Sequence, residues 1–394
     1  MALDLPRMDA WRRRFTRRVV FTTWASQTPL LLTAAMVWKP AAISRSLWVT
    51  LLLVGMLVGN LPLYLRMLDW RDHTRRSLWR VWALELPYFA LFASGFAYAI
   101  LSVLSAPLWL IASAMYAYPL ANSLAIVAVM SWLVGSYAVF VRRLWPETKR
   151  VEVHLEDLDP SLDGFVITQV SDVHCGPYIP RWFLMRVARL VCESDADLCA
   201  VTGDMITEGE GYLPEVTAFV SALKARHGVY ACLGNHDYFG TIEGARAAMT
   251  LGGAAVLCNE GARVGELALF VAGVDDAWTK RSDEALAMAQ CPSEFACILL
   301  SHDPTRLGDL AAHPQVRLVL SGHTHAGQLA VPFVSERLNV GRLKFARSVG
   351  LFALIAKRTW LYVHPGVGTS GPPVRLGVAP TVTTLVLRAS GPTR

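Results

Sequence analysis

The chain has 394 residues, 54% of them hydrophobic, with a mean hydropathy of +0.37 and a net charge of +6. That length exceeds one ordinary domain, and the hydropathy is too high for apolar residues spread evenly through a soluble protein. The charge is also uneven: residues 1–141 hold 13 Lys and Arg against 5 Asp and Glu, and residues 142–394 hold 24 against 26. Basicity confined to the apolar half suits cationic loops that orient membrane helices and argues against a nucleic-acid partner.

From the N-terminus, stretches 19–38, 47–68, 81–104 and 120–141 are apolar enough, and about long enough, to span a bilayer. The segment Pro107–Pro119 is apolar but too short, and its Trp109, Tyr116 and Tyr118 suit an interfacial element. No cleavable signal peptide is expected, because the first apolar region is too long, lacks a small-residue cleavage site and is followed by further spans. Arg7, Arg12, Arg13, Arg14, Arg17 and Arg18 precede the first span, Arg66, Arg71, Arg75, Arg76 and Arg80 follow the second, and Arg142 and Arg143 follow the last. Only Lys39 and Arg45 lie in the first loop and no cation in the third, so the alternation predicts both termini, and with them the C-terminal half, on the cytoplasmic side of the membrane. Asn60 and Glu85 interrupt the spans; Glu85 reads as an interfacial residue beside cations or as a substrate-facing one.

Beyond Arg150 the composition becomes that of a globular domain, and short apolar runs each end in a polar cluster. Residues 165–170 precede Ser171-Asp172-Val173-His174, residues 198–202 precede Gly203-Asp204, and residues 229–233 precede Gly234-Asn235-His236-Asp237. Residues 296–300 precede Ser301-His302-Asp303, and residues 317–320 precede Ser321-Gly322-His323-Thr324-His325. Helix-like segments 181–192, 214–225 and 241–251 lie between them. Buried strands alternating with helices indicate an α/β domain whose functional groups gather outside the carboxyl ends of the strands. In extended chain residues i and i+2 point to one side, so Asp172 with His174, and His323 with His325, are each expected to aim two ligands at one place. Mixed imidazole, carboxylate and amide donors suit Mn, Fe or Zn. Seven such groups exceed one tetrahedral ion and suit two ions sharing a carboxylate.

The series Asp172-x-His174, Gly203-Asp204, Gly234-Asn235-His236-Asp237, His302 and Gly322-His323-Thr324-His325 resembles the calcineurin-like metallophosphoesterases over about residues 150–394. The phrases from Gly322 to Gln328 and from Gly366 to Gly377 resemble its bacterial membrane-associated branch. Cys175, Ala326 and His364-Pro365 depart from that branch, but none removes a ligand. The resemblance implies a four-layer α/β/β/α sandwich over 150–394, preceded by a four-helix transmembrane region in residues 1–145. It implies one metal on Asp172, His174 and His325, a second on Asn235, His302 and His323, and Asp204 bridging them. His236 would stabilise the phosphoryl group and protonate the leaving oxygen, with Asp237 orienting its ring. The implied activity is hydrolysis of phosphomonoesters or phosphodiesters, extending to lipid-linked esters and nucleotide-lipid pyrophosphates, by a hydroxide bridging two divalent ions. The rival is a membrane sensor or scaffold whose fold only binds ligand.

The seven Cys residues all lie in the second half, are odd in number and form no C-x-x-C pair, as expected of buried thiols in a reducing compartment. Asp275-Asp276 reads as a turn or as support for the metal site, Arg375 as a phosphate contact or a surface residue, and His364 as structural or substrate-contacting. Between Pro332 and Arg358, Arg337, Arg342, Lys344, Arg347, Lys357 and Arg358, opposed only by Glu336, interleave with Phe333, Leu338, Val340, Leu343, Phe345, Leu351, Phe352, Leu354 and Ile355. That mixture suits an element lying on membrane lipid, or else an ordinary apolar edge with a solvated face.

Overall fold

The computed structural model describes the chain except residues 1–4, 62–74, 117–118, 240–241, 332, 355–357 and 391–394, and describes residues 5–16 and Ile242 by their backbone only. The chain divides into two compact units, Met1–Asp72 with Ser77–Arg142, and His73–Arg76 with Arg143–Arg394.

The first unit is helical, with α1 (Leu5–Met36), α2 (Arg45–Gly59), α3 (Leu86–Tyr116) and α4 (Leu120–Ser136). The Ser44 hydroxyl caps α2 by accepting from Leu47 N. Among the described residues two helical stretches are long and apolar enough to cross a membrane, Leu78–Tyr116 and Leu120–Leu144. In the first, helix continues through Pro107 to Tyr116, past the end of the expected span 81–104. A proline removes one backbone hydrogen bond, a loss that a long apolar helix tolerates when its neighbours re-satisfy the freed groups. The end of the expected span 47–68, with Arg66 and Arg71, lies outside the described residues, as does Tyr118.

Polar pairs tie these helices together. Asn60 is fully buried and exchanges amide hydrogen bonds with Gln27 of α1, at 2.8 and 3.3 Å. Thr23 meets the Tyr88 hydroxyl at 3.1 Å, and the Tyr98 hydroxyl lies 3.0 Å from Thr33 Oγ1. Glu85, also buried, pairs with Arg80 at 3.1 Å, which matches the reading of a carboxylate beside a cationic neighbour. A methyl group on Gly95 would lie 2.3 Å from the Ser26 carbonyl oxygen, so only glycine allows α1 and α3 to approach this closely.

The second unit is a mixed α/β sandwich of two six-stranded sheets. The first has the order β1-β12-β2-β3-β4-β5, made of β1 (Glu147–Glu156), β12 (Thr381–Ser390), β2 (Val166–Val170), β3 (Leu198–Thr202), β4 (Val229–Cys232) and β5 (Ala254–Val256). The second has the order β10-β11-β9-β8-β7-β6: β10 (Gly350–Leu354), β11 (Thr359–Val363), β9 (Val316–Ser321), β8 (Ala296–Leu300), β7 (Leu269–Gly273) and β6 (Glu260–Arg263). Ile167, Leu198 and Ala200 of one sheet and Val271, Ile298, Leu318 and Tyr362 of the other fill the space between them.

The outer face of the first sheet is covered by α5 (Arg181–Glu193), α6 (Leu213–Ala222) and α7 (Ile242–Leu251), through Phe183, Val187, Phe219 and Met249 among others. Strands β2, β3, β4, β8 and β9 are buried nearly throughout, which explains their unbroken apolar runs. The expected fourth layer is thin. Over the second sheet it consists of α8 (Glu284–Met288), five residues long, and irregular chain.

Candidate metal centre

Each candidate ligand stands just past the carboxyl end of a strand: Asp172 and His174 after β2, Asp204 after β3, Asn235 after β4, His302 after β8, and His323 and His325 after β9. Strands β2, β3 and β4 run parallel in one sheet and β8 and β9 in the other, so both sheets deliver their loops to a common edge. The loops are bonded to one another beyond the strands. Asp172 N donates to Gly203 O at 3.0 Å, His174 N to Asp204 O at 3.0 Å, and Gly368 N to Asp172 O at 2.8 Å.

The backbone there is not extended. Asp172, His174, Asp204, His323 and His325 all have φ between 49° and 70°, the left-handed region that costs an L-residue roughly 1–2 kcal/mol. Such strain persists only where the surroundings enforce it and gathers at functional sites. It also corrects the expectation that i and i+2 spacing aims two ligands at one place. Asp172 and His174 do share a cluster, with Asp204 and His325, but His323 joins a second one with Asp204 and His302. His323 and His325 thus fall into different clusters, which share Asp204.

Within each cluster the ligand atoms lie within 4.8 Å of one another. In the first, His174 Nε2 is 3.0 Å from His325 Nε2 and 3.6 Å from Asp204 Oδ2, and His325 Nε2 is 3.1 Å from Asp172 Oδ1. In the second, His302 Nε2 is 3.3 Å from both Asp204 Oδ2 and His323 Nδ1. His302 Nδ1 donates to Thr202 O at 2.7 Å, which turns Nε2 inward. Asp172, His174, Asp204 and His302 are essentially inaccessible to solvent. The Asn235 side-chain oxygen is buried with no hydrogen-bond partner.

Burial should raise the Asp172 and Asp204 pKa values, yet His325 beside the first and His302 beside the second hold both below the ordinary carboxylate range. Burial likewise works against the His302 cation, but facing Asp204 lifts its pKa well above normal. His174 goes the other way, lowered by burial and by His236, and His323 falls to about 4 through burial and its neighbour His302. Four imidazoles and two carboxylates, their nitrogen and oxygen atoms converging with little solvent, form a donor set that suits cations. The donor set and the orphaned Asn235 oxygen therefore fit divalent metal ions.

Glycines make the close approach possible. A Cβ on Gly322 would stand 1.9 Å from Ser171 Oγ and 2.3 Å from Asp172 Oδ2, and one on Gly234 would stand 2.3 Å from Asp204 Oδ1.

His236 sits at the rim, partly exposed, its ring edge-on to His174 at 4.7 Å. Its Nδ1 meets the Thr207 carbonyl at 2.8 Å, and its backbone N–H donates to Asp204 Oδ1 at 2.8 Å. Asp237 does not orient that ring, contrary to expectation. Its two carboxylate oxygens accept the backbone N–H groups of Gly234, Asp204, Met205 and Ile206 at 2.8–3.3 Å, which locks the β3 and β4 loops together. Burial and the Asp204 charge raise its pKa to about 7. A side chain that turns back onto its own loop cannot also reach the ring next door.

Sequence reasoning missed Thr207, whose carbonyl carries no side-chain signal, and the flanking aromatics. Phe239 packs on His236 at 4.6 Å and on Trp278 at 6.1 Å, and Phe345 packs on His323 at 5.7 Å. Arg375 was read as a phosphate contact or a surface residue and is neither. It is fully buried, donates to the carbonyls of Pro365 and Gly368, and lies 3.4 Å from His325 Nδ1. His364 is buried and accepts from Gly366 N at 2.9 Å, a structural arrangement. Asp275 and Asp276 close a turn, Asp275 also meeting the Tyr238 hydroxyl. All seven cysteines are free thiols, and burial raises the Cys175 pKa far above normal, leaving it unreactive.

A family model described as calcineurin-like phosphoesterase matches residues 165–327. A transmembrane protein with metallophosphoesterase domain from Danio rerio is 31% identical over 258 residues, covering 62% of this chain and 57% of that protein. Its Bos taurus counterpart is 30% identical over 262 residues, covering 62% and 58%. The chain therefore spans less than two thirds of the length of these relatives. An uncharacterized metallophosphoesterase of Aquifex aeolicus is 29% identical over 265 residues, covering 66% of this chain and 98% of that one.

Proposed function

Because the chain carries a calcineurin-like metallophosphoesterase domain, we propose that it is a membrane-anchored, metal-dependent hydrolase of phosphate esters. Asp172, His174 and His325 would hold one divalent ion and Asn235, His302 and His323 another, with Asp204 shared. The arrangement that carries this reading is the pair of clusters meeting at Asp204. When bound, such ions (Mn, Fe or Zn) neutralise phosphoryl charge and activate water as the nucleophile.

The chain's own residues supply the rest. With Nδ1 bound to the Thr207 carbonyl, Nε2 is the His236 ring nitrogen that can exchange a proton, and in its protonated form it donates to a leaving oxygen. Asp237 fixes the loops that carry Asp204 and His236. Phe239 and Phe345 pack against His236 and His323 and would restrict the motion of those rings. The N-terminal unit would insert as four spans with the catalytic unit cytoplasmic, and the substrates would include lipid-linked phosphoesters. Two apolar helices and the transmembrane relatives support anchoring.

The test uses purified full-length chain, loaded with Mn and assayed against bis(p-nitrophenyl) phosphate, phosphomonoesters and UDP-diacylglucosamine. Turnover of at least one, lost in His236→Ala with metal content unchanged, is the expected result. A folded preparation that binds metal but turns over none of them would instead favour a ligand-binding sensor.

A further inference from the structure

The segment that follows the second ligand loop has an unusual surface. Phe333 is wholly exposed, and Leu338, Val340 and Leu343 are exposed as well, Leu343 to 87%. Arg337, Arg342, Lys344 and Arg347 are exposed among them. The acid within the segment, Glu336, is paired with Lys149. Pro332, and Ile355 and Lys357 further on, lie outside the described residues.

The segment is not a loose loop. Val331 N donates to Leu338 O at 2.9 Å and Leu338 N to Val334 O at 2.8 Å, closing a tight turn that carries Phe333 at φ 68°. Left-handed backbone is rare for a bulky residue, and here it holds an aromatic ring out in solvent. Gly341 seats against the backbone of Gly327, where a Cβ would come within 2.8 Å of Ala326 C. Phe345, against His323, joins the segment to the metal cluster.

We propose that Phe333–Arg347 is a docking surface for an anionic lipid bilayer, with Phe333 and Leu343 entering the headgroup region and Arg337, Arg342, Lys344 and Arg347 meeting lipid phosphates. Cations interleaved with apolar side chains match that boundary, and an exposed apolar patch of this kind marks an interaction site. The bilayer is the occupant the rest of the chain favours. Two helices long and apolar enough to cross a membrane would, once inserted, tether the C-terminal unit and keep lipid at high local concentration. The inference rests on the membrane-anchored reading above and gives the active-site rim a direct approach from the lipid surface.

The experiment places an environment-sensitive fluorophore (NBD) on Leu343→Cys, in full-length chain also carrying Cys192→Ser to remove the exposed native thiol. The protein is reconstituted in vesicles of phosphatidylcholine, alone or mixed with phosphatidylglycerol, and lipids bearing a doxyl group are added as quenchers. A control label on Glu266→Cys, in the turn between β6 and β7 at the far edge of the same sheet, reports general proximity. Blue-shifted emission quenched by doxyl lipid at position 343 and not at 266, stronger with phosphatidylglycerol, is expected. Arg342→Gln, Lys344→Gln and Arg347→Gln should each weaken docking roughly five-fold. A blue shift without lipid quenching would mean burial against protein, including a second copy, and would overturn the proposal, as would no shift at all. Hydrolysis of bis(p-nitrophenyl) phosphate, followed in the same vesicles, separates failure of docking from failure of the proposed activity.

Discussion

The helical unit and the metal clusters both bury polar side chains, but to opposite ends. In the helices Gln27 and Asn60 satisfy each other's amides, and Thr23 with Tyr88 and Thr33 with Tyr98 form neutral pairs. In the clusters two carboxylates and four imidazoles are divided between two groups whose ligand atoms each lie within 4.8 Å, the buried Asn235 oxygen next in the chain to His236 has no partner, and five residues sit in left-handed backbone. Paired burial is glue, adding modestly to stability without asking for anything else. Mismatched burial is a standing demand that only a ligand of opposite charge can meet.

Removing the carboxylate that both clusters share breaks the comparison hardest. Asp204→Asn is expected to lower phosphoesterase turnover at least about 10³-fold, a loss of several kcal/mol of charge stabilisation. It should also cut metal content, read by elemental analysis, in a chain whose helical signal is unchanged. His236→Ala should cost about 10²–10⁴-fold in turnover with metal retained, which separates proton transfer from metal binding. Retained metal in Asp204→Asn would show that the clusters do not act as one.

Gly322→Ala tests whether the demand depends on close approach. Its methyl would collide with Ser171 and Asp172, so metal uptake should fall, by roughly 10–100-fold if displacement of a supporting contact is the cause. Asp237→Asn should show its effect as stability rather than proton transfer. Weakening the charge-assisted bonds it receives costs about 1.5–3 kcal/mol, read as a lower melting temperature, with the pH profile of the remaining activity unmoved. A shifted profile would restore Asp237 to the role of orienting His236.

The smallest effect is expected in the helices. Asn60→Leu strands the Gln27 amide and should destabilise the unit by about 0.6–1.7 kcal/mol, measured by unfolding in mild detergent, with turnover of soluble esters unchanged. A larger loss of activity would mean that the polar pairs also serve the site.

How much was legible in the sequence follows from what each feature depends on. The strands before each cluster were readable because a strand buried on both faces must be continuously apolar; 198–202 and 296–300 coincide with β3 and β8. The residues of the clusters were readable because metal chemistry admits few side-chain types, and each stood at a strand end. Their grouping was not readable from spacing. Local chain geometry in extended form would have put His323 and His325 together, and the folded loops place them in different clusters. The same limit hid the Thr207 carbonyl, the inward turn of Asp237 and the burial of Arg375. Composition and periodicity are properties of the chain alone, so the sequence determined which segments form strands and helices and which residues could bind metal. The direction a side chain takes at a strand end is set by whatever packs against it from distant parts of the chain, and only the folded structure decides that.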